Sequence, residues 1–202
     1  MAKFNIPAAA IRDIKNQVQQ TDQFKKAAEK ISVEVFESAK KDFLDEFENH
    51  PITKEIESGP GASNLSGTLT GYGNLFSFIG FNSTDQPIEE LRTMLKSMMR
   101  VSKIRVNKGA KSKVSFNISM PEMKIIMSAT PMPWESGRSW VRGVERGISG
   151  FGYYMSTQNR RFSRSGTAIQ ADSRIRPGAY IPRKYMSEML KNLDRNLRRL
   201  VK

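Results

Sequence analysis

His50 is the only histidine in a chain of 202 residues that contains no cysteine. Those two facts narrow the available chemistry. A zinc site would rest almost wholly on carboxylates, which that ion rarely accepts, and thiol redox chemistry and disulfide staples are ruled out. Catalysis by His50 would need a nucleophile and an orienting partner. Ser66, Thr68 and the scattered carboxylates stand at no spacing that assembles one. The expectation is no catalytic residue, no metal and no cofactor, with His50 at a helix end just before Pro51, meeting the last carbonyls.

The glycine-rich stretch at 58–74 is the second place where spacing could mean chemistry, since it holds Gly59, Gly61, Gly67, Gly71 and Gly73. A phosphate-cradling loop needs a lysine and a hydroxyl directly after its last glycine. Here Thr68 follows Gly67 without a lysine, and the spacing is not that of a dinucleotide fingerprint. The stretch reads instead as a flexible joint, because glycine tolerates positive φ and close backbone approach. It leads into the apolar run 75–81, Leu-Phe-Ser-Phe-Ile-Gly-Phe, which is expected to be a buried strand.

Around the joint the elements follow from periodicity. Pro7 opens a short N-terminal helix or arm. Between 23 and 49, Phe24, Ala27, Ala28, Ile31, Val35, Ala39, Phe43 and Phe47 form one stripe at helical spacing, opposite a face of Glu and Lys. The expected partner of that stripe is the chain's own sheet. Asn82 to Asp85, then Pro87, Glu89 and Glu90, start a helix that runs to Arg100. Runs at 101–106 and 113–119 form a hairpin whose tip carries Lys108, Lys111 and Lys113, and 122–130 is expected to add a third strand. Those lysines either protect an exposed hairpin from edge pairing or contact phosphate. Ser136 or Ser139 caps a short helix that turns Trp140, Val141, Val144 and Ile148 inward. A last strand follows at Phe151, Tyr153 and Tyr154. From 156 to 182 Arg160, Arg161, Arg164, Arg174 and Arg176 lie among Ser, Gly and Pro, as in an extended basic arm ordered by a partner. A helix returns at 183–202. The fold class is α+β: a long N-terminal helix on a small, mostly antiparallel sheet with a second helix. Its divisions are an arm at 1–22, a body at 23–155, and a basic arm with C-terminal helix at 156–202.

Charge divides the chain as well. Residues 1–99 carry 11 Lys/Arg and 14 Asp/Glu, whereas residues 100–202 carry 22 and 6, for a formal net charge of +13. Two such faces suit a neighbouring copy met head to tail and a polyanion. Trp134, Trp140 and Arg138 combine aromatic and guanidinium chemistry of the kind that anchors interfaces, and with the arginines of the arm they are candidates for intersubunit or partner docking. No signal-peptide pattern and no stretch of about 18 apolar residues is present, so a soluble, non-exported protein with no membrane partner is expected.

Two segments carry a resemblance. Residues 59–69, Gly-Pro-Gly-Ala-Ser-Asn-Leu-Ser-Gly-Thr-Leu, with 73–81 and the later 133–140, Pro-Trp-Glu-Ser-Gly-Arg-Ser-Trp, resemble the neck and tail-completion proteins of tailed bacteriophages over about residues 24–155. The resemblance implies a homo-oligomeric ring at the head–tail junction. It would lie between the portal or connector and the tail-terminator or tail-tube proteins, with double-stranded DNA passing through its lumen and no catalysis. Lys108, Lys111 and Lys113 would then be candidates to face DNA. The competing reading is a sequence-independent nucleic-acid-binding protein, which the basic half supports, although no helix-turn-helix, zinc finger or RNA-binding motif is present.

Overall fold

The stripe at 23–49 forms one helix, α1 (Asp22–Asn49), whose N-cap Thr21 accepts the Phe24 N–H. At 28 residues it is about 42 Å long. The computed structural model describes residues 12–13, 17–18, 21–69, 73–107, 113–147, 153–156, 164, 169–174 and 180–200. Of the expected N-terminal helix, 12–13 and 17–18 are helical and exposed. After α1 come α2 (Pro51–Glu57), a 3-10 turn (Gly59–Gly61), α3 (Leu75–Ile79), α4 (Pro87–Met98), β1 (Arg100–Asn107), β2 (Lys113–Ser119) and α5 (Met123–Ser128). The chain continues with β3 (Pro131–Met132), β4 (Glu135–Ser139), α6 (Trp140–Arg146), β5 (Tyr153–Ser156), β6 (Ile169–Arg174) and α7 (Met186–Leu200). The class is α+β and mostly helical.

α1 packs on the C-terminal helix α7 and on β1 of the two-stranded β1–β2 sheet. Ser32, Phe36, Ala39, Phe43 and Phe47 are its buried residues. From α7, Met186, Met189, Leu193 and Leu197 are buried in the same core as Ile52, Ile56, Leu91, Leu95 and Trp140. The C-terminal helix is therefore part of the body and not an appendage beyond residue 155.

The strands form three separate antiparallel pairs, β1–β2, β3–β4 and β5–β6. The hairpin read at 101–119 is present, with Val101 opposite Ile118 at its base and Asn107 opposite Lys113. Three other expectations are corrected. The run at 75–81 is not a strand but the helix α3, because Asn74 accepts the Ser77 N–H through its side chain and Gly80, at φ 90°, ends the turn. A short run buried on all sides looks alike as helix or strand, so the caps decide. The segment 122–130 contributes α5 instead of a third strand, and its inward residues Met123, Ile126 and Met127 stand at i, i+3, i+4. The supposed arm contains β6, which returns to pair with β5, so the boundary at 155/156 cuts a strand.

Candidate functional site

Two buried carboxylates hold the centre of the molecule together, and both do so at helix starts. Glu55 on α2 accepts the Ser66 N–H at 2.6 Å with one oxygen and the Leu75 N–H at 2.7 Å with the other, which fastens the middle of the glycine-rich loop and the first turn of α3. Asn74 adds side-chain donation to the Pro60 and Ala62 carbonyls at 3.0 and 2.8 Å. The segment read as a flexible joint is thus tied down within its described part. Gly59, Gly67 and Gly73 take positive φ there, whereas Gly61 does not, and Gly71 lies outside the described residues. Glu145 on α6 plays the matching part at α7, accepting the Tyr185 and Ser187 N–H groups at 3.2 and 2.7 Å. Between the two clamps, Ile181 N–H donates to the Thr68 carbonyl and the Tyr180 hydroxyl donates to Val144, so the segment entering α7 straps α6 to the glycine loop.

His50 meets the end of α1 through its backbone, the N–H donating to the Phe47 carbonyl at 3.3 Å, while its side chain faces the next helix. Its Nδ1 accepts the Ile52 N–H at 3.2 Å, which makes it the N-cap of α2, and its ring lies 4.8 Å from that of Tyr185. Burial lowers its pKa, against the smaller raising effect of Glu46 and Glu188. A neutral ring is also what the cap requires, since a protonated Nδ1 cannot accept.

Arg92 on α4 gathers three carboxylates. It meets Glu48 of α1 with a two-pronged contact at 2.6 and 2.7 Å, and also Glu57 of α2 and Glu89 of its own helix. The guanidinium holds Glu48 below the usual carboxylate range, outweighing desolvation, while the hydrogen bond to Glu48 raises Arg92 above its ordinary value.

The two tryptophans part company. Trp140 is 2% exposed and stands edge-on to Phe81 at 6.0 Å, so it is a core residue and not a docking anchor. Trp134 is 45% exposed while its indole N–H donates to the Ile79 carbonyl at 2.8 Å, which leaves a fixed ring face outside. Arg138 and Arg164 are exposed. Lys113 follows the hairpin tip in β2, and Arg174 lies in β6 opposite Tyr153. Lys108, Lys111, Arg160, Arg161 and Arg176 lie outside the described residues. Sequence reasoning missed Glu55, Glu145 and the Arg92 cluster. The signal for Glu55 was its place between Ile52 and Ile56 on the buried face of a short helix.

Beside Trp140 a cavity of about 320 Å³ opens between α4 and the β3–β4 turn, with Asp85 and Glu90 at its edge. A second, of about 260 Å³, adjoins Asp85 and Pro87 on the Arg92 side. Among the described residues no group of three or more His, Asp or Glu could hold a metal ion, and no helix is long and apolar enough to cross a membrane. No family model, no curated protein and no solved structure matches this chain.

Proposed function

We propose that this chain is a structural protein of the phage neck, forming a ring that joins the portal or connector to the tail and lets double-stranded DNA pass. The observation that best supports this reading is where α1 is covered and where it is not. Its buried residues begin at Ser32, and none of residues 22–31 is buried. About 15 Å of capped helix therefore lies beyond the buried core, with Phe24 and Ala28 half-buried and Ile31 59% exposed. A helix of that kind suits an assembly in which neighbours complete the packing. The polar groups buried in the centre are committed to helix starts, which is scaffold work. In a conduit, the net positive charge of residues 100–202 serves neighbouring acidic surfaces, because aligned phosphate contacts would hold DNA by a strongly salt-dependent attraction.

The test is localisation. Antibody raised to the chain is used to probe purified particles of its source, intact and after heads are separated from tails. Signal at the head–tail junction is the expected result; absence from particles, with recovery on cellular nucleic acid, overturns the reading. The second reading, sequence-independent nucleic-acid binding, is favoured by the exposed arginines of α6. It requires submicromolar affinity for short duplexes with a steep salt slope, and negligible binding by the isolated chain rejects it.

A further inference from the structure

The C-terminal helix α7 turns one face to the core and a chemically different one to solvent. Met186, Met189, Leu193 and Leu197 are buried, and Asn192 at the edge donates to Glu46 of α1 at 2.9 Å. The side chains that α7 exposes are Glu188, Lys191, Arg195, Arg198 and Arg199. Lys191, Arg195 and Arg199 follow one another at i, i+4 and i+8, so they stand in one row about 12 Å long. Arg198 lies beside that row and pairs with Asp194 at 2.7 Å. Glu188 sits in the first turn, where the helix dipole favours an acid. Lys191, Arg195 and Arg199 have no ion pair among the described residues.

A charged face needs no partner when its charges answer one another, and α1 shows that case in the same molecule. There Lys25 pairs with Asp22 and Lys30 with Glu34, three and four residues apart. On α7 the same spacing sets Lys191 beside Arg195 and Arg195 beside Arg199, an arrangement of like charges that costs a helix stability. A partner that carries negative charge relieves the repulsion. What the face lacks says which partner. Among its described residues it exposes no aromatic ring on which the bases of a single strand would stack, no apolar side chain to enter a bilayer, and no apolar anchor for another protein. A row of cations with nothing else suits the phosphates of a duplex, which carries one charge about every 1.7 Å along its axis.

We infer that the outer face of α7 is a docking surface for the phosphate backbone of double-stranded nucleic acid, with Lys191, Arg195 and Arg199 as its contacts. Arg183 and Lys184, exposed on the strap just before the helix, add positive charge next to its start. Contacts of this kind fix position on the duplex and read no sequence. The inference rests on the nucleic-acid reading and gives that reading a surface.

Fluorescence anisotropy of the full chain with a short labelled duplex of arbitrary sequence, titrated at a series of salt concentrations, tests this. Wild type is expected to bind at low salt and to weaken steeply as salt rises. The triple variant Lys191→Gln, Arg195→Gln, Arg199→Gln should bind about 10-fold or more weakly at low salt, and its log affinity should fall less steeply with log salt, by about 2–3 in slope. Each single substitution should lower the slope by about 1, with near-UV circular dichroism matching wild type throughout. The α1 variant Lys25→Gln, Lys26→Gln, Lys30→Gln removes the same charge from another helix and should bind as wild type does. A wild type that binds no duplex rejects the nucleic-acid reading together with this surface. An α7 triple variant that binds as wild type does, or an α1 variant that weakens as much, rejects the surface alone. Equal or tighter binding of wild type to a single strand of the same length, or to vesicles of anionic lipid, overturns the duplex as the occupant.

Discussion

At the residue scale, single side chains act through the helix starts that they hold. Glu145→Ala leaves the Tyr185 and Ser187 N–H groups at the head of α7 without their acceptor. A loss of about 2–3 kcal/mol in urea unfolding is expected, with a smaller loss in Glu145→Gln, which keeps an oxygen at the site. Glu55→Ala should behave alike, because Ser66 and Leu75 depend on its carboxylate. His50 gives a pH dependence with a definite sign. Its pKa is lowered in the folded chain, so the stability that it contributes is complete above the unfolded value of about 6.5 and is lost as pH falls from there through the folded value. The melting temperature of wild type should drop as pH falls below the unfolded imidazole value of about 6.5, and His50→Asn, which keeps a capping acceptor, should flatten that drop. An unchanged slope would mean that another group titrates in that window. The capping duty was legible only in part: sequence placed His50 at a helix boundary, but the preceding helix end and the following helix start share that position.

At the element scale, Arg92 joins three helices. Glu48 lies on α1, Glu57 on α2 and Glu89 on α4 itself. Arg92→Lys keeps the charge but loses the two-pronged contact, and about 1–2 kcal/mol of stability should go with it in denaturant unfolding at neutral pH. Glu48 is held below the ordinary carboxylate value. The stability it contributes is present above that value and is lost as pH falls through its folded one, so the gap between wild type and Arg92→Lys should narrow in acid. A gap that stays constant as the carboxylates protonate would mean the lysine disturbs packing instead. The elements that sequence located well were those with a long stripe or a proline start, namely α1, α4 and α7. Of the short ones, α6 was found through its cap Ser139, whereas α3 and α5 were misread, because five or six residues span less than two turns. The N-cap Asn74 and the αL residue Gly80 identify α3, and both stood in the sequence beside a run whose aromatics suggested a strand.

At the scale of the whole molecule, the two longest helices, α1 and α7, meet in one core. Phe47 near the end of α1 stacks on Tyr185, whose hydroxyl is hydrogen-bonded to Thr53 at 2.8 Å, and α7 supplies Met186, Met189, Leu193 and Leu197. A chain stopped at residue 155 should therefore lose cooperative unfolding and near-UV circular dichroism; a stable, cooperatively folded 1–155 would contradict the single core. The sequence shows the apolar stripe of α7 but not its destination, because nothing local encodes a contact between residues so far apart. The acidic and basic halves were plain from charge counts, whereas the groove beside Trp140 depends on the fold, which brings α4 against the β3–β4 turn. The neck reading concerns what lies outside the chain; it predicts that deleting the coding sequence from the source of this chain leaves phage particles unjoined, and electron microscopy of those particles is the most direct measurement. Separate heads and tails, rejoined when the chain is supplied, are the expected result; joined, infectious particles at normal yield would contradict the neck assignment.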